Sequence, residues 1–128
     1  MAVSLLTAEE EHDLGLDVEG RFAKQHGIKF VSLPIVDRGV PSSLQDFVRL
    51  VDDLRHTLEG GHNVAIHCRQ GLGRSPLVAA ATLVNAGIDP KSAFKAVGTA
   101  RGVRVPETSE QQHWLEKIFT DHLALARH

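Results

Sequence analysis

Residues 63–85 read NVAIHCRQGLGRSPLVAAATLVN, and they carry the strongest indication of the fold. It begins with a predicted short buried β-strand over residues 63–67, whose apolar part is residues 64–66. A turn with two glycines follows, and then an apolar segment that we predict to be a helix over residues 76–85. Because a helix that is apolar on all sides is usually buried at the centre of a domain, the stretch predicts a strand, a tight loop and a central helix in succession.

Further strands and helices are predicted on both sides of this stretch. Apolar and β-branched runs predict strands over residues 3–6 and 28–33. Helices are expected after a capping box at Thr7, over about residues 17–25 and 44–58, from Asp89, and after a second capping box at Thr108. Strands mixed with longer helices predict an α/β fold, with a central parallel-rich sheet flanked by helices. At 128 residues we expect a single domain, residues 1–128.

Composition excludes several classes of protein. Hydrophobic residues make up 42% and charged residues 23%, which excludes disordered and collagen-like chains. Fourteen basic and sixteen acidic residues give a net charge of −2, so we expect no nucleic-acid partner and no membrane partner. No apolar run approaches the roughly twenty residues of a membrane span, and the N-terminus lacks a basic signal-peptide region. We therefore expect a cytoplasmic protein.

The loop after the predicted third strand has the features of a phosphate-binding site. Backbone N–H groups in a glycine-bearing turn converge on an anion, and the dipole of the following helix favours its charge. The loop is not a nucleotide-type P-loop, because no Gly-Lys-Ser/Thr follows. Arg74 stands in place of the lysine, and its planar guanidinium can bind two phosphate oxygens. The expected substrate-binding residues are Arg69, Gln70, Gly71, Leu72, Gly73 and Arg74.

Cys68, the single cysteine of the chain, lies at the mouth of this loop. Cysteines at helix N-termini can have pKa values lowered to about 3.5–7.5, so the field that binds phosphate also stabilises a thiolate. The loop therefore predicts a nucleophile beside an anion-binding site. Ser75 can donate its hydroxyl to the sulfur and make it a better leaving group. His67 is expected to hydrogen-bond nearby backbone and shape the loop, and not to act as the base.

Residues 67–75, HCRQGLGRS, resemble the signature of cysteine-dependent protein phosphatases, the protein-tyrosine phosphatase superfamily. The small size and Ser75 are most similar to its dual-specificity branch. Upstream, residues 33–41, LPIVDRGVP, are similar to that branch's general-acid loop, with Asp37 in the acid position. Downstream, residues 100–106, ARGVRVP, resemble the stretch before the family's last helix.

The resemblance implies a protein phosphatase that hydrolyses phosphomonoesters through a phosphocysteine. The substrate would be a phosphorylated protein or peptide carrying phosphotyrosine, with phosphoserine or phosphothreonine as further substrates. Cys68 would be the nucleophile, Arg74 and the loop amides would hold the phosphate, and Asp37 would be the general acid. No organic cofactor is implied, and the eight histidines lack metal-ligand spacing, so no metal site is expected.

Several alternatives remain open at the level of sequence. Where tyrosine-specific relatives have a water-positioning glutamine, this chain offers Glu107 or Gln111. Arg38 and Arg69 could equally bind a second substrate anion or be solvated surface charges. Relatives have more chain before the first strand, so we expect a shortened N-terminus whose open sheet edge could support a homo-oligomer. The rival functions are a non-catalytic phosphate-binding module and the same chemistry on a phosphoinositide or an RNA 5′-phosphate.

Overall fold

The computed structural model describes residues 1–69, 73–103, 105–106 and 108–118. Over these residues the elements run, in chain order, β1 (Ala2–Ser4), α1 (Ala8–Asp13), α2 (Glu19–Gln25), β2 (Phe30–Ser32), α3 (Leu44–Glu59), β3 (Ala65–His67), α4 (Arg74–Asn85), α5 (Pro90–Arg101) and α6 (Ser109–Ile118). Helices surround a small parallel sheet, so the expected α/β class is confirmed.

The sheet of the described residues has three strands in the order β2-β1-β3. β1 pairs in parallel with both neighbours, with Val3 opposite Val31 on one side and Ile66 on the other. Each strand is only three residues long, shorter than the sequence predicted, and some of the apolar residues next to the strands are buried outside them. Leu5, for example, is fully buried although it lies beyond the end of β1.

The central position of β1 corrects one expectation. The N-terminal strand is paired on both sides, so it is not an open sheet edge. An open edge of the sheet is therefore not at β1, and the homo-oligomer stays a prediction.

Helix α4 lies at the centre of the fold, as its apolar sequence predicted. Ten of its residues are buried, and α3, α5, α6 and β3 all contact it. It begins at Arg74 and not at Pro76 as predicted, because a proline fits the first turn of a helix, where its missing N–H leaves no bond unmade. Arg74 and Ser75 therefore lie in the first turn of α4 and not in the loop before it.

The predicted helix caps are confirmed. Thr7 accepts a hydrogen bond from the backbone N–H of Glu10, whose side chain bonds back to the Thr7 N–H. The same reciprocal pattern joins Thr108 and Gln111 at the start of α6. Asp89 caps α5, with Pro90 at its first position. No helix among the described residues is both long and apolar enough to cross a membrane.

Candidate active site

All three strands are parallel, so their carboxyl ends meet at one edge of the sheet. The backbone continues to pair there, since Leu5 N–H donates to the His67 carbonyl at 2.9 Å and Ile35 N–H donates to the Leu5 carbonyl at 3.0 Å. The segments that follow the strands carry Glu10, Asp37 and Cys68 respectively. In open α/β sheets this edge is where ligands bind. The topology thus brings the predicted nucleophile and the predicted acid to the same end of the molecule.

Cys68 and Ser75 contact each other as the sequence predicted. The Ser75 hydroxyl donates to the Cys68 sulfur at 3.1 Å. Cys68 directly follows β3 and is partly buried, while Ser75 lies in the first turn of α4 with 8% of its surface exposed. A hydroxyl donor at this distance stabilises negative charge on sulfur. The arrangement suits a sulfur that alternates between nucleophile and leaving group.

Arg74 is nearly inaccessible to solvent, with 2% of its surface exposed, and its guanidinium is held on several sides. Nη1 donates to Oε1 of Glu10 at 2.6 Å and Nη2 donates to Oε2 at 2.9 Å, a bidentate pair across 64 residues. Nη1 also donates to the carbonyl of Ile35 at 2.8 Å. The arginine is therefore held between α1 and the loop that follows β2.

The ion pair shifts the pKa values of both partners. The hydrogen bond from Arg74, opposed in part by burial, lowers the pKa of Glu10 from 4.5 to about 2. The pKa of Arg74 is raised, chiefly by the same hydrogen bond. Glu10 therefore stays ionised across the physiological range and keeps the guanidinium in place.

Asp37 lies beside Arg74. One carboxylate oxygen, Oδ1, is 3.4 Å from Nη2 of the guanidinium, and 59% of the side chain is exposed. The loop turns sharply here, with Gly39 N–H donating to the Val36 carbonyl at 2.8 Å and Arg38 at a positive φ of 64°. The exposed carboxylate of Asp37 can thus reach a substrate that also contacts Arg74.

His67 has a partner that the sequence did not indicate. We expected a bond to nearby backbone, whereas Nε2 lies 2.9 and 2.8 Å from the two carboxylate oxygens of Glu19 at the start of α2. Both side chains are partly buried, with 31% and 26% of their surfaces exposed. Because a carboxylate only accepts hydrogen bonds, Nε2 carries a hydrogen, and the contact fixes the orientation of the ring immediately before Cys68.

Gln111 is completely buried and connects three segments of the site. Its Nε2 donates to the Gly39 carbonyl at 2.9 Å, and its Oε1 accepts the N–H of Thr108 at 3.3 Å. A Cβ on Gly73 would come within 2.7 Å of Oε1, so only glycine fits there without displacing the amide. Both polar atoms of Gln111 thus bond to backbone that flanks the site, while Glu107, the other candidate for the water-positioning group, lies outside the described residues.

The remaining predicted binding residues are only partly described. Arg69 is exposed and follows Cys68, and Gly73 is buried at the N-terminus of α4. Gln70, Gly71 and Leu72 lie outside the described residues. No group of three or more metal-ligating side chains is found in the part of the chain that the structure describes.

Two acidic residues of the site were missed by sequence reasoning. Glu10 was recognised only as the last member of a capping box, and Glu19 was not singled out. Each makes its contact across more than forty residues of chain, so no local pattern signals it. The one available hint was that a buried arginine needs a carboxylate partner.

Sequence comparison places the chain among phosphatases. Residues 1–88 match the family described as Tc-R-P: Polymorphic toxin system, DSP-PTPase phosphatase. Cyclin-dependent kinase inhibitor 3 of Rattus norvegicus is 34% identical over 103 residues, which cover 79% of this chain and 48% of that protein. The chain spans less than half the length of the curated relatives it matches.

Solved structures of phosphatases superpose closely on this fold. Kinase associated phosphatase, in a form with its catalytic-site cysteine replaced by serine, gives a TM-score of 0.85 at 29% identity, covering 96% of this chain and 69% of that one. Tk-PTP in its active form gives a TM-score of 0.79 at 26% identity, covering 94% of this chain and 78% of that one. The likeness extends over nearly the whole chain.

Proposed function

Because the chain belongs to the DSP-PTPase phosphatase family of polymorphic toxin systems, a small dual-specificity-like branch of the protein-tyrosine phosphatase superfamily, we propose that it hydrolyses phosphomonoesters through a phosphocysteine. The proposed substrate is a phosphorylated protein or peptide, carrying phosphotyrosine and also phosphoserine or phosphothreonine. A cysteine nucleophile has to stay reduced, which favours the cytoplasm as the compartment of action.

One observation carries the proposal. The Arg74 guanidinium, fixed by Glu10, lies 3.4 Å from the Asp37 carboxylate, and the next residue, Ser75, donates to the Cys68 sulfur. The residues proposed as nucleophile, anion-binding group and acid thus lie in one small region. These are the groups that phosphoryl transfer through a covalent intermediate requires.

In the first step the Cys68 thiolate attacks phosphorus opposite the leaving oxygen. The S–P bond forms as the P–O bond breaks, and Asp37 gives its proton to the departing oxygen. Arg74 and the loop amides at the start of α4 stabilise the charge on the three equatorial oxygens. The product is a phosphocysteine and a free alcohol or phenol.

In the second step water attacks the phosphocysteine. Asp37, now a carboxylate, accepts the proton of the water as the P–O bond forms. The S–P bond breaks, inorganic phosphate leaves, and the sulfur returns to the thiolate with the Ser75 hydroxyl donating to it.

The test is hydrolysis of para-nitrophenyl phosphate against pH, with chelator present, in the wild type and in Cys68→Ser and Asp37→Ala. Cys68→Ser is expected to abolish turnover but to retain binding of inorganic phosphate. Asp37→Ala is expected to lower kcat by about 10²–10⁴-fold and to remove the basic limb of the pH profile. The matched control is Asp13→Ala, which removes an exposed carboxylate at the end of α1.

The same series separates the rival functions. Phosphate binding without turnover in the wild type would favour a non-catalytic binding module. Turnover of a phosphoinositide or an RNA 5′-phosphate in preference to phosphotyrosine and phosphoserine peptides would retain the chemistry and contradict the protein substrate. Full activity of Asp37→Ala on substrates with both good and poor leaving groups would show that Asp37 is not the acid.

A further inference from the structure

The contact between Glu19 and His67 is not used in the mechanism above. Glu19 is the first residue of α2, and His67 is the last residue of β3, so the contact joins two elements 48 residues apart. Both carboxylate oxygens are within hydrogen-bond distance of Nε2, at 2.9 and 2.8 Å. The pair is partly shielded from water, which strengthens a charge-assisted hydrogen bond relative to an exposed one.

A glycine at the start of α2 lets this helix approach the sheet closely enough for Glu19 to contact His67. Gly20, the residue after Glu19, lies against the ring of Phe30 in β2, where a Cβ would come within 3.0 Å of Cδ1. The absence of a side chain at Gly20 lets the start of α2 approach the sheet. Glu19 is thereby placed where its carboxylate meets the imidazole at the end of β3.

We propose that Glu19 is a positioning residue for the reaction of Cys68. Its carboxylate holds the His67 ring through Nε2–H, and the held ring fixes the strand end from which the nucleophile emerges. Cys68 follows His67 directly, and its sulfur must keep the 3.1 Å contact with the Ser75 hydroxyl. This inference rests on the proposed function, since it assigns a role in that same reaction.

A misplaced reacting group lowers kcat more than it weakens substrate binding. A displacement of about 1 Å at the nucleophile can cost 10²-fold in rate. The loop amides and Arg74 bind the phosphate, and Glu19 contacts His67 and not those groups. Loss of Glu19 is therefore expected to lower kcat and to leave KM almost unchanged.

The experiment compares Glu19→Ala, Glu19→Gln and the control Glu9→Ala, an exposed glutamate on α1. Glu19→Ala is expected to lower kcat for para-nitrophenyl phosphate by about tenfold or more, with KM within twofold. Glu19→Gln is expected to stay within threefold of the wild type, because its amide oxygen can accept the same Nε2–H. Glu9→Ala is expected to match the wild type in both constants.

A double-mutant cycle tests the route through His67. If Glu19 acts by holding this ring, then Glu19→Ala adds no further loss of kcat to His67→Ala. Additive losses would overturn the proposal, as would unchanged kcat in folded Glu19→Ala. Equal losses in the alanine and glutamine variants would also overturn it, since the effect would then depend on charge and not on the hydrogen bond.

A second readout does not require phosphatase activity. Cys68 is the only thiol of the chain, so its rate of alkylation by iodoacetamide reports on the nucleophile alone. The rate is expected to fall in Glu19→Ala and to recover in Glu19→Gln, with each variant's Tm measured alongside. A fall in Tm with an unchanged alkylation rate would overturn the positioning role. If the wild type hydrolyses no ester, the proposed function fails while the alkylation series still decides the role of Glu19.

Discussion

The bidentate pair between Glu10 and Arg74 makes a quantitative prediction about stability and pH. Glu10→Gln removes the negative charge but keeps the capping box at Thr7, because glutamine serves equally at that position. The variant therefore isolates the interaction with Arg74 from the start of α1. Glu9→Gln is the matched control, since it removes the same charge from an exposed neighbouring position.

The magnitude follows from the pKa of Glu10. A drop from the ordinary value of 4.5 to about 2 corresponds to about 3 kcal/mol of stabilisation when the carboxylate is ionised. Part of this shift comes from the hydrogen bonds of Thr7, which glutamine keeps, and the side chain has 13% of its surface exposed to screening by solvent, so the share lost with the charge is about 2 kcal/mol. Glu10→Gln is thus expected to lower the free energy of unfolding at pH 7 by about 2 kcal/mol, and Glu9→Gln by less than about 0.5 kcal/mol.

The sign of the pH dependence is fixed by the direction of the shift. The folded-state pKa of Glu10 lies below the unfolded value, so the stabilisation is present in full above pH 4.5 and is lost as the pH falls towards 2. The difference in free energy of unfolding between the wild type and Glu10→Gln is therefore expected to fall by about half at pH 3. Urea unfolding at several pH values between 7 and 3 measures this difference. If this difference is absent at pH 7, or stays constant down to pH 3, the assigned interaction between Glu10 and Arg74 is contradicted.

Three further predictions concern the same region. Gly73→Ala places a Cβ against the buried amide of Gln111 and is expected to cost about 1–3 kcal/mol in urea unfolding, whereas Gly60→Ala, where the Cβ meets only ordinary contacts, is expected to cost far less. Ser75→Ala removes a hydrogen bond to the sulfur and is expected to slow breakdown of the phosphocysteine by about tenfold or more. The slower step would be seen as a burst of nitrophenol before steady-state turnover, and turnover at the wild-type rate with no burst would contradict this. Mild peroxide is expected to inactivate Cys68 reversibly through a sulfenic acid or sulfenamide, since no second cysteine exists; mass spectrometry that finds only sulfonate would count against it.

The fold could be predicted largely from local patterns. The apolar run after Ser75 indicated a buried helix, and α4 is the buried helix that the other long helices contact. The capping boxes at Thr7 and Thr108 predicted where α1 and α6 begin, and the helices start at the next residues, Ala8 and Ser109. Strand ends were less accurate, because burial of apolar loop residues such as Leu5 looks the same in sequence as burial within a strand.

The site could be predicted where its residues are close in sequence. Cys68, Arg74 and Ser75 belong to one strand–loop–helix unit, so their proximity could be predicted from spacing, whereas their catalytic roles stay a prediction. The contact between Ser75 and Cys68 then follows from the return of the chain into α4.

Only the tertiary structure decided how this unit is supported. Glu10 reaches Arg74 and Glu19 reaches His67 because parallel strands bring their following segments to one edge of the sheet. Gln111 joins α6 to the loop that follows β2, because its side chain donates to the Gly39 carbonyl, 72 residues away in the chain. The sequence alone was enough to propose Cys68, Arg74, Ser75 and Asp37 as the reacting groups. Strand order and helix packing set which carboxylates and amides contact them, because those contacts depend on distances that no local pattern encodes.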